Sequence, residues 1–316
     1  MKGGLFSANS SLISPKTNFS TKFSYVFNKL TRQACCLCAL LASPTVFATN
    51  YYLEREISLA LQQSIDEKQI VWLETDNPRK TLALNKIAQG VTRMGTAIVL
   101  ADLNHHPDWP TVTRPIRDQL PYYGWETLSV HMPIKEANLS LIKLEQLYKI
   151  AEKRITAAIE YLISNDKTNI IIIGHRHSAN IGVRYITQNQ ETAKHIKAIV
   201  GISSFDSSWI NTSAYIKELP IGMLDIIAQN DTIDVKKAAP QRLVAARFAG
   251  QQISNLPQST LSPKVRQLAI NKTGNPQFRQ SIINGANRHF TKKHDALIKT
   301  IRGWLKVYAT SLLSEN

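Results

Sequence analysis

Short apolar runs that alternate with helical segments constrain the fold of this chain more than any other feature. The central run, NIIIIG at 169–174, is continuously apolar, which is typical of a strand buried on both faces of a sheet. Strands that are joined through helices lie parallel, so the alternation predicts an α/β fold with helices on both faces of the sheet. The predicted parallel strands are GTAIVLAD, WETLSVHM, NIIIIG, IKAIVGIS, IGMLDIIA and FRQSIING.

The first two predicted strands break this alternation. They follow an amphipathic segment, Tyr52 to Ser64, and read QIVWLET and KTLALN, joined by a short connection that contains Asp76, Asn77 and Pro78. A connection this short and rich in turn-forming residues joins antiparallel strands. The predicted fold is therefore a three-layer α/β sandwich, with a mostly parallel central sheet and an antiparallel hairpin at its start.

The amino-terminal segment predicts a signal peptide. Lys29 and Arg32 precede the apolar run ACCLCALLASPTVFA, and the small residues Val46 and Ala48 are placed as in a cleavage site after Ala48. The run is too short for a stable membrane-spanning helix. We therefore expect an exported protein, periplasmic or associated with the cell envelope, with an uncleaved membrane tether as the alternative. The expected division is a targeting segment at 1–48 and a single domain at 49–316.

The three cysteines, Cys35, Cys36 and Cys38, all lie in this apolar run. Their spacing is too tight for a metal or redox motif, so we interpret them as small hydrophobic residues. The exported chain would then contain no cysteine, and core packing rather than disulfides would have to stabilise it.

The formal net charge of +15 raises the question of nucleic-acid binding. Five of the 38 basic residues but no acidic residue lie in the first 48 positions, which leaves a net charge of about +10 for the rest. The remaining basic residues are scattered and accompany no nucleic-acid motif. We therefore expect no nucleic-acid partner; the basic exterior fits peripheral contact with an anionic membrane surface.

Candidate site residues follow four of the predicted strands. In open parallel sheets, ligands bind at the carboxyl ends of the strands, so the segments that leave those ends are the ones to search. They read LNHHPDWP after GTAIVLAD, HRHSA after NIIIIG, QNDTID after IGMLDIIA, and ANRHFTKKHD after FRQSIING.

The order of these segments resembles that of the α/β-hydrolase superfamily. GHRHSA stands where the nucleophile elbow GxSxG is expected, IIAQND resembles the segment that ends in the catalytic acid, and GANRHF resembles the loop of the catalytic histidine. More narrowly, HPDWP, the Pro-Ile-Arg segment after it, GWETLSV and IRGWL resemble an uncharacterised family of exported bacterial hydrolase-like proteins, a domain of unknown function. The resemblance extends over nearly all of 65–312.

The elbow departs from the superfamily because it has no serine at the nucleophile position. Aligned on Gly174, that position is Arg176, and Ser178 replaces the second glycine. An arginine guanidinium stays protonated and cannot attack an acyl carbon. Ser178 would fall in the first helical turn, where capping is expected of a serine, and His177 would be an uncommon nucleophile.

The resemblance implies Asp231 as the catalytic acid and His289 as the catalytic base. A turn at Asp231 and a helix cap or an exposed position for His289 are the structural alternatives. Asp225 and Asp234 are rival acids. Because Asp225 lies inside an otherwise apolar strand, its carboxylate needs a partner, and a basic residue from a neighbouring element is expected.

The loop after GTAIVLAD supplies an oxyanion amide in this fold, often through His-Gly, but here it contains no glycine. It carries two adjacent histidines, and convergence of several histidines on one rim raises a divalent metal as a minor hypothesis. No spaced ligand motif supports it, so neither a metal nor a cofactor is expected. The residues concerned are His105, His106, Asp108, His175, His177 and His289.

Two function classes follow from these residues. In the first, a non-catalytic or altered hydrolase fold binds a small molecule or an envelope partner, and Arg176 holds a carboxylate or phosphate of an anionic ligand. In the second, an esterase-like acyl hydrolase uses a displaced nucleophile, Ser178, with Asp231 and His289. The further binding candidates are His105, His106, His175 and His177.

Overall fold

The computed structural model describes residues 49–76, 79–90, 92–254 and 277–308. The predicted signal peptide and its three cysteines lie outside these ranges, so the division into a targeting segment and one domain stays a prediction. Among the described helices, none combines the length and the apolar character that crossing a membrane requires.

The described strands form one sheet with the order β1-β2-β4-β3-β5-β6-β7-β8. β1 and β2 form an antiparallel hairpin, β2 pairs antiparallel with β4, and all the later pairings are parallel. The predicted sheet with an antiparallel start is thereby confirmed. The strands are β1 (Ile70–Asp76), β2 (Arg79–Lys86), β3 (Gly95–Leu100), β4 (Trp125–Val130), β5 (Ile170–His175), β6 (Ile196–Ile202), β7 (Gly222–Asn230) and β8 (Phe278–Asn287).

Helices connect the parallel strands as the sequence predicts. α6 begins at Thr212, because the Asn211 side chain accepts a hydrogen bond from the Ala214 amide and so caps the helix there. The helices are α1 (Tyr51–Ser64), α2 (Thr113–Gln119), α3 (Leu141–Ser164), α4 (His177–Gln188), α5 (Gln190–Ala193), α6 (Thr212–Glu218), α7 (Ile233–Ser254) and α8 (His294–Tyr308), with 3₁₀ turns at Glu67–Gln69 and Leu120–Tyr123.

The central strand β5 shows how the sheet is buried on both faces. Ile170 and Ile172 pack into one hydrophobic cluster together with residues of α3, α4 and α6. Ile171 and Ile173 pack into a second cluster together with residues of α2 and α8. Alternate side chains of a strand point to opposite faces, so four consecutive isoleucines supply both cores. This is the three-layer arrangement that the continuous apolar run predicts.

A fully buried ion pair lies between β7 and α7. The Arg242 Nε donates to the Asp225 Oδ2 at 2.9 Å, and the Gln280 Nε2 donates to the same oxygen at 2.9 Å. Both charged side chains are completely buried. The expected basic partner of Asp225 is therefore Arg242, and this pairing removes Asp225 from the rival acids.

Replacement of Asp225 by Asn should lower the free energy of unfolding by about 3–5 kcal/mol, because it leaves the buried Arg242 guanidinium without a counter-ion. Urea unfolding followed by circular dichroism measures this. The double variant Asp225→Leu/Arg242→Leu should recover much of the loss. As a matched control, Glu191→Gln removes the surface partner of Lys194 and should leave the stability unchanged. An Asp225→Asn variant as stable as the native protein would contradict this role of the pair.

Buried polar contacts attach α1 to the sheet. The Arg154 Nη2 donates to the Glu54 Oε2 at 2.7 Å, and the Arg154 Nη1 donates to the His131 carbonyl at 2.8 Å. The His131 ring follows β4 and is 2% exposed. A cavity of about 450 Å³ lies here, lined by residues of α1, the hairpin and α3. Burial lowers the pKa of His131 to about 3, and the Arg154 charge contributes.

The stability of the protein should depend on pH through His131. Since its folded pKa lies below the unfolded value, its contribution is complete above about pH 6.5 and is lost as the unfolded chain takes up a proton at lower pH. One such group lowers the free energy of unfolding by about 1.4 kcal/mol per pH unit between about pH 6 and 4. Urea unfolding at several pH values measures the slope. The His131→Gln variant should show a smaller slope, and an unchanged slope would contradict the assignment.

Candidate functional site

β5 leads through a sharp turn at Arg176 into α4. The Arg176 backbone has φ 50° and ψ −115°, a strained conformation for a residue other than glycine, at a cost of about 1–3 kcal/mol. Gly174 lies directly against the start of α4, where a Cβ would come within 2.6 Å of the Ala179 Cα. The turn therefore has the geometry of a nucleophile elbow, with an arginine at its tip.

The Arg176 guanidinium lies among three carboxylates. Its Nη1 donates to the Thr232 Oγ1 at 3.1 Å, and its Nη2 donates to the Asp234 Oδ2 at 3.4 Å. Its Nε is 3.7 Å from the Asp102 Oδ2, and its Nη1 is 4.0 Å from the Asp231 Oδ1. With three acids around one base, this part of the site carries surplus negative charge. The guanidinium is thus already neutralised within the protein.

A carboxylate also occupies the position of the oxyanion hole. The Asp102 Oδ1 accepts hydrogen bonds from the His177 amide at 3.1 Å, the His177 Nδ1 at 2.9 Å and the Leu103 amide at 2.9 Å. In α/β-hydrolases, the amide of the residue after the nucleophile stabilises the oxyanion, and His177 is that residue here. Burial raises the pKa of Asp102, but the His177 hydrogen bond and the neighbouring imidazoles outweigh this and lower it.

The hydrogen-bond partners of Asp231 are nearby backbone amides and a serine, not His289. Its Oδ2 accepts from the Ser203 Oγ at 2.6 Å and from the Ala228 amide at 3.2 Å. Its Oδ1 accepts from the Thr232 amide at 2.9 Å. These bonds fix the turn after β7, which is the structural alternative that the sequence left open.

His289 lies on the same rim but is not oriented as a catalytic base. Its Nε2 accepts from the Arg288 Nε at 2.8 Å, and its buried Nδ1 has no hydrogen-bond partner among the described residues. Burial lowers the pKa of His289, the charges of Arg288 and Arg176 lower it further, and Asp231 opposes them. In a catalytic triad the acid would accept from the histidine Nδ1, and within the described residues no hydrogen bond joins Asp231 to His289.

Ser178 does not face the rim. Its side chain is completely buried, and its Oγ donates to the Ala101 carbonyl at 2.5 Å. The hydroxyl therefore links the start of α4 to the end of β3. Ser178 is therefore not exposed as the nucleophile of the esterase hypothesis would have to be.

Asp102, His105 and His175 form a cluster next to Arg176, and a donor atom from each lies within 4.8 Å of the other two. His175 is 3% exposed, and neither of its ring nitrogens has a hydrogen-bond partner among the described residues. The His105 ring stacks on Trp109, with ring centroids 4.0 Å apart and an interplanar angle of 4°. Burial lowers the pKa of His175 to about 4 and also lowers that of His105.

The HPDWP motif fixes the loop that carries His105. Asp108 forms ion pairs with Arg117 at 2.7 Å and with Arg114 at 2.6 Å, which attach the loop to α2. The His106 Nδ1 accepts from the Asp108 amide at 3.2 Å. His106 and Asp108 thus serve the loop itself and are not part of the cluster of Asp102, His105 and His175. The motif's role here is structural.

Asp102 is the site residue that the sequence analysis did not single out. A signal was present, because it is the last residue of GTAIVLAD and so lies at the carboxyl end of a predicted strand. Phe205 is a second addition, since the Arg176 guanidinium lies 5.2 Å from its ring centroid and the His177 ring packs edge-on against it at 5.0 Å. Trp209 lies beside His177, at a ring distance of 5.8 Å.

Solved structures with the same fold include several hydrolases. Est1E from Butyrivibrio proteoclasticus, also solved with ferulic acid bound, has a TM-score of 0.55 and 11% identity over 77% of this chain and 99% of its own. An esterase from Pyrococcus furiosus has a TM-score of 0.55 and 14% identity, covering 76% of this chain and 90% of its own. A dienelactone hydrolase from Anabaena variabilis has a TM-score of 0.51 and 13% identity, covering 76% and 96%. At such identities the likeness shows the fold alone.

No protein with curated annotation matches the sequence. The family described as "Protein of unknown function (DUF3530)" matches residues 43–146 and 142–307, which is most of the chain. This chain therefore belongs to the DUF3530 family of unknown function and has the α/β-hydrolase fold.

Proposed function

We propose that this protein is an exported ligand-binding protein built on the α/β-hydrolase fold, without serine-hydrolase chemistry. The arrangement of the elbow carries the proposal, because Arg176 occupies its tip and the Asp102 carboxylate accepts the hydrogen bond of the His177 amide. The arginine leaves no nucleophile at the tip of the elbow. The hydrogen bond to Asp102 engages the amide that an oxyanion hole would need.

The Asp102 carboxylate weighs against acyl transfer even if another nucleophile approached. Acyl transfer develops negative charge on the carbonyl oxygen, and donors such as the His177 amide stabilise it. Here a carboxylate already accepts from that amide at 3.1 Å, so an oxyanion would meet a like charge in a partly buried site. The His289 ring accepts from Arg288 and lacks the orienting carboxylate of a triad.

The charges around Arg176 favour a ligand whose charge differs from the one that the sequence predicted. The sequence predicted that this guanidinium would hold a carboxylate or phosphate, but Asp102, Asp231 and Asp234 already surround it. An anion at this position would be repelled by three carboxylates and attracted by one guanidinium. A ligand with a cationic or hydrogen-bond-donor group fits this charge better. Phe205 and Trp209 beside His177 provide aromatic surface for its apolar part.

The full-length protein should neither react with a fluorophosphonate probe nor hydrolyse activated esters faster than its His289→Ala variant. Arg176→Ser restores the elbow serine but should stay unreactive, because Asp102 still holds the His177 amide. The double variant Arg176→Ser/Asp102→Gly frees that amide and should stay unreactive as well, because no carboxylate orients His289 as a base. Gel fluorescence and ester assays measure this, with folding checked by circular dichroism.

Arg302→Ser, the same substitution on an exposed part of α8, is the matched control and should behave as the native protein does. Labelling of the native protein, with ester hydrolysis that disappears in His289→Ala, would refute the proposal. Such a result would favour the esterase hypothesis, and Ser178→Ala would then test whether that serine is the nucleophile.

Export is part of the proposal and rests on the basic residues, the apolar run and the small residues before position 49. Expressed in a bacterial host, the chain should reach the periplasmic fraction with Thr49 as its first residue. Amino-terminal mass spectrometry of each fraction measures this. Ala48→Trp should block cleavage, and deletion of 2–48 should retain the protein in the cytoplasm. Cytoplasmic accumulation of the uncleaved native chain would contradict export.

A further inference from the structure

We propose that Asp102, His105 and His175 bind one divalent transition-metal ion beside the elbow. The inference goes beyond the ligand-binding function and does not depend on it. Two observations support it: the three side chains lie close together, and three of their imidazole nitrogens have no hydrogen-bond partner among the described residues.

His175 is the strongest indication. Its ring is 3% exposed at the end of β5, yet neither nitrogen has a hydrogen-bond partner among the described residues. A buried polar group without a partner destabilises a protein unless something binds it. His105, from the loop after β3, likewise leaves its buried Nδ1 without a partner there. A metal ion bound between the two rings would satisfy both.

The distances allow a shared ion after small side-chain movements. The donor atoms of Asp102, His105 and His175 lie within 4.8 Å of one another. Tetrahedral bonds of about 2.1 Å would place them roughly 3.4 Å apart, so a pair of donor atoms has to approach by up to about 1.4 Å. His105 is only partly buried and belongs to a loop, so its side chain can make most of this movement.

Neighbouring contacts orient the ligands, as is usual around bound metals. The Asp102 Oδ1 accepts from the His177 amide, the His177 Nδ1 and the Leu103 amide. These bonds fix the carboxylate and leave Oδ2, 3.7 Å from the Arg176 Nε, as the oxygen that would bind the metal. Stacking on Trp109 fixes the plane of the His105 ring. The Asp108 ion pairs described above fix the loop beneath it.

The surrounding charge favours a dication. Three carboxylates, Asp102, Asp231 and Asp234, face one guanidinium, so an added charge of +2 would balance the group. The Arg176 Nε lies 3.7 Å from the Asp102 Oδ2 and would be repelled by the ion. Its Nη atoms already contact Thr232 and Asp234, towards which the side chain can shift.

The donor set narrows the choice of ion. Two imidazoles and one carboxylate suit zinc, iron, cobalt or manganese, whereas calcium and magnesium prefer oxygen ligands alone. Three protein ligands leave at least one coordination position open for water or for a ligand.

Titration with cobalt(II) tests the site directly. The full-length protein, prepared without a histidine tag and stripped with a chelator, should bind one Co²⁺ per chain and develop visible absorption of nitrogen-ligated cobalt. Zn²⁺ should displace it. Isothermal titration calorimetry should show affinity at least about 10-fold weaker in His105→Ala and in Asp102→Asn. The matched control His195→Ala, in the turn before β6, should bind as the native protein does.

His105→Ala is the decisive variant because this side chain is half-buried, whereas replacement of the buried His175 risks unfolding. Zn²⁺ should raise the melting temperature of the native protein and of His195→Ala but not that of His105→Ala. Absence of stoichiometric binding, or binding unchanged in both His105→Ala and Asp102→Asn, would overturn the proposal. Ester hydrolysis that needs metal and His105 would contradict the ligand-binding proposal while supporting the metal site.

Discussion

The close approach of β5 and α4 at Gly174 is the constraint on which the rest of the site depends. No side chain fits between Gly174 and the Ala179 backbone, so α4 begins directly against the end of β5. Arg176 makes the sharp turn between them with a positive φ, and its side chain lies at the end of the sheet where the loops after β3 and β7 meet. The strain is retained because buried strands and helices on both sides hold the turn.

The same backbone geometry supports different chemistry according to which residue occupies its tip. A serine there needs a base and a donor-lined oxyanion hole. In this chain the arginine is surrounded by carboxylates, and one of them, Asp102, takes the amide that would form the oxyanion hole. The two departures are coupled, because Asp102 contacts both Arg176 and His177. The elbow has thus become the centre of a polar network.

The hydrolases with the same fold illustrate why fold and function have to be argued separately. At 11% to 14% identity they share the fold with this chain, and their activities say nothing about its ligand. Its own site differs in the residues that would carry acyl transfer. Its distinguishing features are the surplus of carboxylates around Arg176 and the imidazole nitrogens that have no hydrogen-bond partner among the described residues.

The sequence by itself determined the sheet, the hairpin, the place of the elbow and the need of Asp225 for a basic partner. These follow from local patterns: apolar runs, turn residues between strands, and a charge in an apolar strand. The tertiary structure alone decided that Ser178 binds the Ala101 carbonyl, that Asp102 accepts from His177, and that three carboxylates surround Arg176. The Asp102 and His177 partners lie 75 residues apart in the chain. Periodicity reports which face of an element is buried, but it does not report which polar side chains meet across separate loops, and those meetings define this site.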